Sequence, residues 1–184
     1  MQRITGSVEI RLPKEKVFAF LRTVEDRLRL NPFSRLLSFE KLTEGEIGVG
    51  TRFRITLVSS DRRADYESEV LEFVENEKIV TRDRGGKLRL TLTLKDTPGG
   101  TLLTHDEEFV IPPDVLAPAE EVQGAPYWMR LLRHVFVMEQ ATFTDREAEK
   151  RIAAITKSLS DNLRVWLSVL KERMEAPRED QPQA

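Results

Sequence analysis

The chain contains no cysteine. That absence excludes disulfide frameworks, thiol nucleophiles and cysteine-ligated zinc together. Histidine is almost as scarce: His105 and His134 are the only two, too few imidazoles for a histidine-rich metal centre. Neither sign of charge dominates. Lysine and arginine total 29 against 31 aspartates and glutamates, for a net charge of −2. Without a basic excess, a dedicated nucleic-acid binder is disfavoured. No apolar run approaches the ~20 residues of a membrane span, and the first residues lack the blocks of a secretory signal. A cytoplasmic protein is expected. A Walker loop, a Gly-x-Ser-x-Gly elbow, a His-Glu-x-x-His pair and a dinucleotide fingerprint are all missing. Nucleotide, serine-hydrolase, zincin and Rossmann chemistries therefore lack their parts, and no cofactor is implied.

What the sequence does have is an ordered series of hydrophobic periods. Its 184 residues suit one domain, large enough to bury about 70% of its unfolded surface without a staple. From Arg3 to Leu12, Ile4, Gly6, Val8, Ile10 and Leu12 alternate with polar residues, which predicts a half-buried strand. Pro13 suits the first turn of a short helix carrying Val17, Phe18 and Leu21 inward. A second helical piece, Glu25 to Leu30, stops at Asn31-Pro32.

Further strands follow around Leu37 and Phe39, Arg52 to Leu57, Asp65 to Val74, Lys78 to Arg84, Lys87 to Lys95, and Thr101 to Ile111. The fifth of these six alternates without error, setting Leu88, Leu90, Leu92 and Leu94 against Lys87, Arg89, Thr91, Thr93 and Lys95. Residues Asp114 to Ala125 read as a loop, and Trp128, Leu131, Leu132, Val135 and Phe136 recur at helical spacing. Thr144 with Glu147 forms a capping box that starts a separate final helix. That helix carries Ala148, Ile152, Ile155, Leu159, Leu163, Trp166 and Leu170 on one narrow stripe, before a frayed tail from Glu175 to Ala184. The domain thus spans 1–175 with an insertion at 112–143.

This order resembles the Bet v 1-like superfamily, the helix-grip fold of START domains and polyketide cyclase/dehydratase-like proteins. Ile4-Thr5-Gly6-Ser7-Val8-Glu9-Ile10 followed by Pro13-Lys14-Glu15-Lys16-Val17-Phe18-Ala19-Phe20-Leu21 matches the family's opening strand and Val-Phe helix. Asn31-Pro32-Phe33, Gly48-Val49-Gly50-Thr51 and Gly100-Thr101-Leu102-Leu103-Thr104 fall where its Trp-Asn-Pro-like element, glycine-rich loop and last strand begin. No tryptophan precedes Asn31, and residues 114–143 exceed the family's usual short link. The resemblance implies an α+β fold, with a curved antiparallel sheet of about seven strands wrapped around a long C-terminal helix. Two short helices follow strand one, and an extra helix precedes the last.

A cavity between sheet and final helix is implied as well. Its expected lining is Phe18, Phe53, Ile55, Leu90, Leu92, Leu103 and Phe109, with Ile155, Leu159 and Trp166 from the helix. Tyr66 and Ser68 are candidate polar contacts, though a strand tyrosine more often packs. His105 and Glu107 share a face of strand 101–111 with Leu103, Phe109 and Ile111. Apolar content favours that face as inward, and a single bulge would swap it. The pair is the candidate for proton transfer in an aldol closure or dehydration; the blander reading makes it a ligand-orienting pair. Trp128 beside Tyr127 reads as core packing before cavity mouth, and His134 as exposed. Arg52, Arg54, Arg82, Arg84 and Arg89 interleave with Glu67, Glu69 and Glu72, which reads as solvated cross-strand pairing. The first expectation is therefore a binder or carrier of a small hydrophobic molecule (lipid, isoprenoid or polyketide-like). A cofactor-free cyclase or dehydratase and a co-chaperone-like interaction module are the alternatives.

Overall fold

β1 (Gln2–Ile10) alternates as its sequence dictates, with Ile4, Gly6 and Ile10 buried and Arg3, Thr5, Ser7 and Glu9 facing outward. The computed structural model describes residues 1–59, 62–111 and 145–176. Two short helices follow, α1 (Lys14–Arg22) and α2 (Val24–Arg29). Pro13 starts α1 at a φ of −63°, and its carbonyl accepts from the Lys16 and Val17 N–H groups at 3.0 and 3.2 Å. Proline is at home there because no helical bond is asked of its nitrogen. Val17, Phe18 and Leu21 are buried, as their spacing predicts.

β2 (Arg35–Lys41), β3 (Arg52–Ser59), β4 (Arg62–Val74), β5 (Lys78–Asp83), β6 (Leu88–Thr97) and β7 (Gly100–Phe109) complete an antiparallel seven-stranded sheet of order β1-β7-β6-β5-β4-β3-β2. Register shifts at Leu36/Ser38 and Val70/Glu72 interrupt two of the pairings, and such bulges bend a sheet. The β1–β7 and β6–β7 pairings run without a shift. On the outer face Arg3 and Thr5 both reach Asp106, and Ser7 meets Thr104 at 3.0 Å.

α3 (Asp145–Glu175) lies across β1 on the inward face. The close approach is set by Gly6, where a Cβ would meet Leu167 Cδ1 at 2.8 Å and Leu163 Cγ at 3.1 Å. One apolar cluster joins Ile4 and Ile10 of β1, Leu92 and Leu94 of β6, and Leu103 and Phe109 of β7 to Leu163, Trp166, Leu167 and Leu170. A second, of Leu36, Phe53, Ile55, Leu57 and Val70, is covered by Val24 and Leu28 of α2. This is a helix-grip α+β architecture.

Two details depart from the sequence reading. Leu167 lies off the expected stripe yet is buried, because the bare backbone at Gly6 lets α3 settle close and take in one more position. Glu175 is not frayed. It ends α3 with one carboxylate oxygen accepting from the Arg11 N–H (2.7 Å) and Lys171 Nζ (2.9 Å), and the other from the Arg11 guanidinium (2.9 Å). The expected loop from 114, the helix of Trp128 to Phe136 with Tyr127 and His134, the Thr144 cap and the tail 177–184 lie outside the described residues.

Candidate functional site

Cross-strand register decides which side chains meet on the inward face. Glu107 pairs with Ile4 of β1 and Leu90 of β6, and His105 with Gly6 and Leu92. Ile4 and Leu92 belong to the core beneath α3. The face holding Leu103, His105, Glu107 and Phe109 is therefore the inner one, because directly opposed residues share a face. No bulge intervenes to swap it.

His105 is 0% exposed. Its Nε2 is 2.8 Å from Glu107 Oε1, and its ring meets that of Trp166 edge-on with centroids 4.8 Å apart. His105 Nδ1 and Trp166 Nε1 are both buried without a hydrogen-bond partner among the described residues. Glu107 keeps 25% of its side chain exposed. The contact with Glu107 takes up Nε2 and leaves Nδ1 unpartnered on an apolar face. The same contact that orients the ring thus leaves a buried polar nitrogen.

The other expected lining residues divide into two sets. Phe53, Ile55, Leu92, Leu103 and Phe109 are packed solid, and Phe18 lies edge-on to Phe73 at 5.2 Å. Ile155 and Trp166 are buried on α3. Tyr66, Ser68, Leu90, Glu107 and Leu159 are only half-buried. Tyr66 and Ser68 stand opposite Ile55 and Phe53, so they too face inward. The inward face therefore retains accessible positions on β4, β6 and β7 beside its packed ones.

Arg27 was not anticipated. It is 5% exposed, on the α2 face that carries Val24 and Leu28 into the second cluster. Its Nε has no partner among the described residues. Burial lowers its pKa to about 10, and the Tyr66 phenol acts the other way. Arg27 is three residues after Val24 and one before Leu28, on the apolar side of a helix of only six residues. Among the described residues no group of three or more His, Asp or Glu is placed to hold a metal ion.

The outer arginines are partly engaged as pairs. Arg54 bridges Glu40 at 2.9 Å and Glu67 at 3.2 Å, and Arg84 reaches Glu67 at 3.2 Å. The Arg54 guanidinium holds the Glu67 carboxyl below its usual range. Among the described residues no helix is long and apolar enough to cross a membrane.

This architecture defines a helix-grip protein, and comparison places the chain more closely. The profile of the family described as polyketide cyclase / dehydrase and lipid transport matches residues 1–136. The chain belongs to that family, within the Bet v 1-like superfamily. Among curated proteins none matches. Solved structures share the fold at low identity. A Staphylococcus aureus protein of unknown function, SA2116, superposes with a TM-score of 0.63 at 10% identity, covering 95% of this chain and 93% of its own. TTHA0849 from Thermus thermophilus gives 0.57 at 16%, covering 94% and 97%. The Aha1 dimer from Colwellia psychrerythraea gives 0.50 at 15%, covering 95% and 97%.

Proposed function

We propose that the chain binds or carries a small hydrophobic molecule between the inner face of the sheet and α3. The observation that carries this reading is the half-buried set Tyr66, Ser68, Leu90 and Glu107 on an otherwise packed inward face. A filled core would seal those positions as it seals Phe53 and Leu103. Affinity comes from apolar contact, at about 25 cal/mol per Å² before ordering costs. The few polar groups set orientation. Family membership supports the reading, since lipid transport is one of the activities in its description.

The test is native mass spectrometry of protein purified without detergent, followed by solvent extraction and a titration with decanol. The expected result is a released apolar small molecule or saturable decanol binding. Absence of both a bound mass and decanol binding would remove the proposal.

A second reading, a cofactor-free cyclase or dehydratase, is favoured by one specific observation. The Glu107-oriented His105 presents an unpartnered Nδ1. In that reading Nδ1 takes a proton from the carbon between two carbonyls, and the resulting enolate attacks a third carbonyl. The new alkoxide recovers the proton before water is lost. Turnover of a polyketide-like substrate that survives both His105→Ala and Glu107→Ala excludes it. For the interaction-module alternative, the expected contact surface (114–143) lies outside the described residues.

A further inference from the structure

We propose that the bound molecule ends in a carboxylate and that Arg27 receives it. This rests on the hydrophobic-ligand reading above and sharpens it to an amphiphilic acid. Buried charges in folded proteins are paired or hydrogen-bonded, because an isolated ion in an apolar surrounding carries a heavy desolvation penalty. Arg27 departs from that rule at Nε, which is buried with no hydrogen-bond partner among the described residues. It lies between Val24 and Leu28, whose side chains pack on Leu36, Phe53 and Ile55, and it is nearly sealed from water. The neighbouring acids are not its counter-ions: Glu25 is committed to Arg29, and Asp26 is exposed.

The guanidinium does not escape by losing its proton. Its pKa of about 10 keeps it charged at neutral pH. Among the described residues the titratable group that acts on it is the Tyr66 phenol on β4. Its unpartnered atom is Nε. Together with one Nη, Nε makes the side-on, two-point contact that matches the two oxygens of a carboxylate.

The position also fits a chain-like ligand. Arg27 and Tyr66 mark the β4 side of the inward face, whereas His105 and Glu107 lie on β7. The two strands are separated by β5 and β6, three strand spacings or about 14 Å. In between, Leu92 of β6 and Ile79 of β5 are sealed in the core, and Leu90 of β6 is half-buried. A carboxylate at Arg27 would send an apolar body toward the accessible positions Leu90 and Glu107.

Calorimetric titration of the full chain with decanoate and with decanol at neutral pH tests this. The wild type is expected to bind decanoate roughly 10- to 100-fold more tightly than decanol, the range of one charge-assisted contact. Arg27→Met should erase the preference for decanoate over decanol and raise the melting temperature of the ligand-free protein. Equal binding of both probes by the wild type overturns the carboxylate while leaving a hydrophobic site standing. Binding of neither removes that site as well. A preference that persists in Arg27→Met, or a melting temperature that falls, shows that Arg27 already has its partner and overturns the proposal. Arg27→Gln, read in the same titrations, serves if the methionine variant does not fold.

Discussion

Gly6 of β1 sits directly opposite His105 of β7, and Leu163 and Leu167 of α3 fill the space where its side chain would be. Both leucines are buried, so a new methyl has nowhere to push them. Gly6→Ala is expected to cost about 1–3 kcal/mol, the usual penalty of overpacking, and Gly6→Val more. Urea denaturation measures it; an unchanged midpoint would show that α3 shifts freely.

Gly100 is constrained by backbone instead of side chains. Its φ is +139°, and a Cβ would stand 2.2 Å from the Ile10 carbonyl oxygen. No rotamer change relieves that contact. Gly100→Ala should lower stability by roughly 1–3 kcal/mol or more and weaken the β1–β7 edge first. Hydrogen exchange of the β1 amides is the direct readout.

Glu175 should give the fold an acid-sensitive component. Its hydrogen bonds from the Arg11 backbone, Lys171 and the Arg11 side chain hold its pKa at about 2, against an ordinary value of 4.5. A depressed carboxyl stabilises the folded state fully above the unfolded value and loses that effect as pH falls through the folded one. Glu175→Gln is expected to melt below the wild type at neutral pH, with the gap closing between pH 4.5 and about 2. A gap independent of pH would assign the effect to packing.

The His105–Glu107 contact predicts non-additive energetics. Glu107→Ala strands a second buried imidazole nitrogen and should cost about 1–3 kcal/mol. His105→Phe on top of it removes the stranded atoms, so the double variant should recover part of the loss. Strict additivity in a double-mutant cycle would show that the 2.8 Å contact contributes nothing.

The β-sheet was largely legible because alternation is local information. Leu88 to Leu94 announce both a strand and its buried face, and Pro13 with Val17, Phe18 and Leu21 announces α1. The inward direction of His105 was legible only as parity with Leu103 and Phe109. It became definite through the unshifted pairing of β7 with both neighbours, which no single strand encodes. Arg27 was hidden for a different reason. Six residues of α2 make less than two turns, too short for a period to show which side the charge takes. Glu175 looked like tail because its partner Arg11 is 164 positions away. The apolar stripe of α3 predicted the helix but not Leu167, whose burial depends on a glycine in another element.

The edge location of β1 has a consequence for how the molecule is made. β2 through β7 are successive neighbours and can form hairpins as they leave the ribosome, whereas Ser7 must wait 97 positions for Thr104. Until then β1 is an unpaired strand on a nascent chain, and β7 offers a bare template to any other extended segment. Closure by α3 comes later still. β1, made well before its partner, is thus among the last strands to find its place, and misassembly is most expected at the β1–β7 seam.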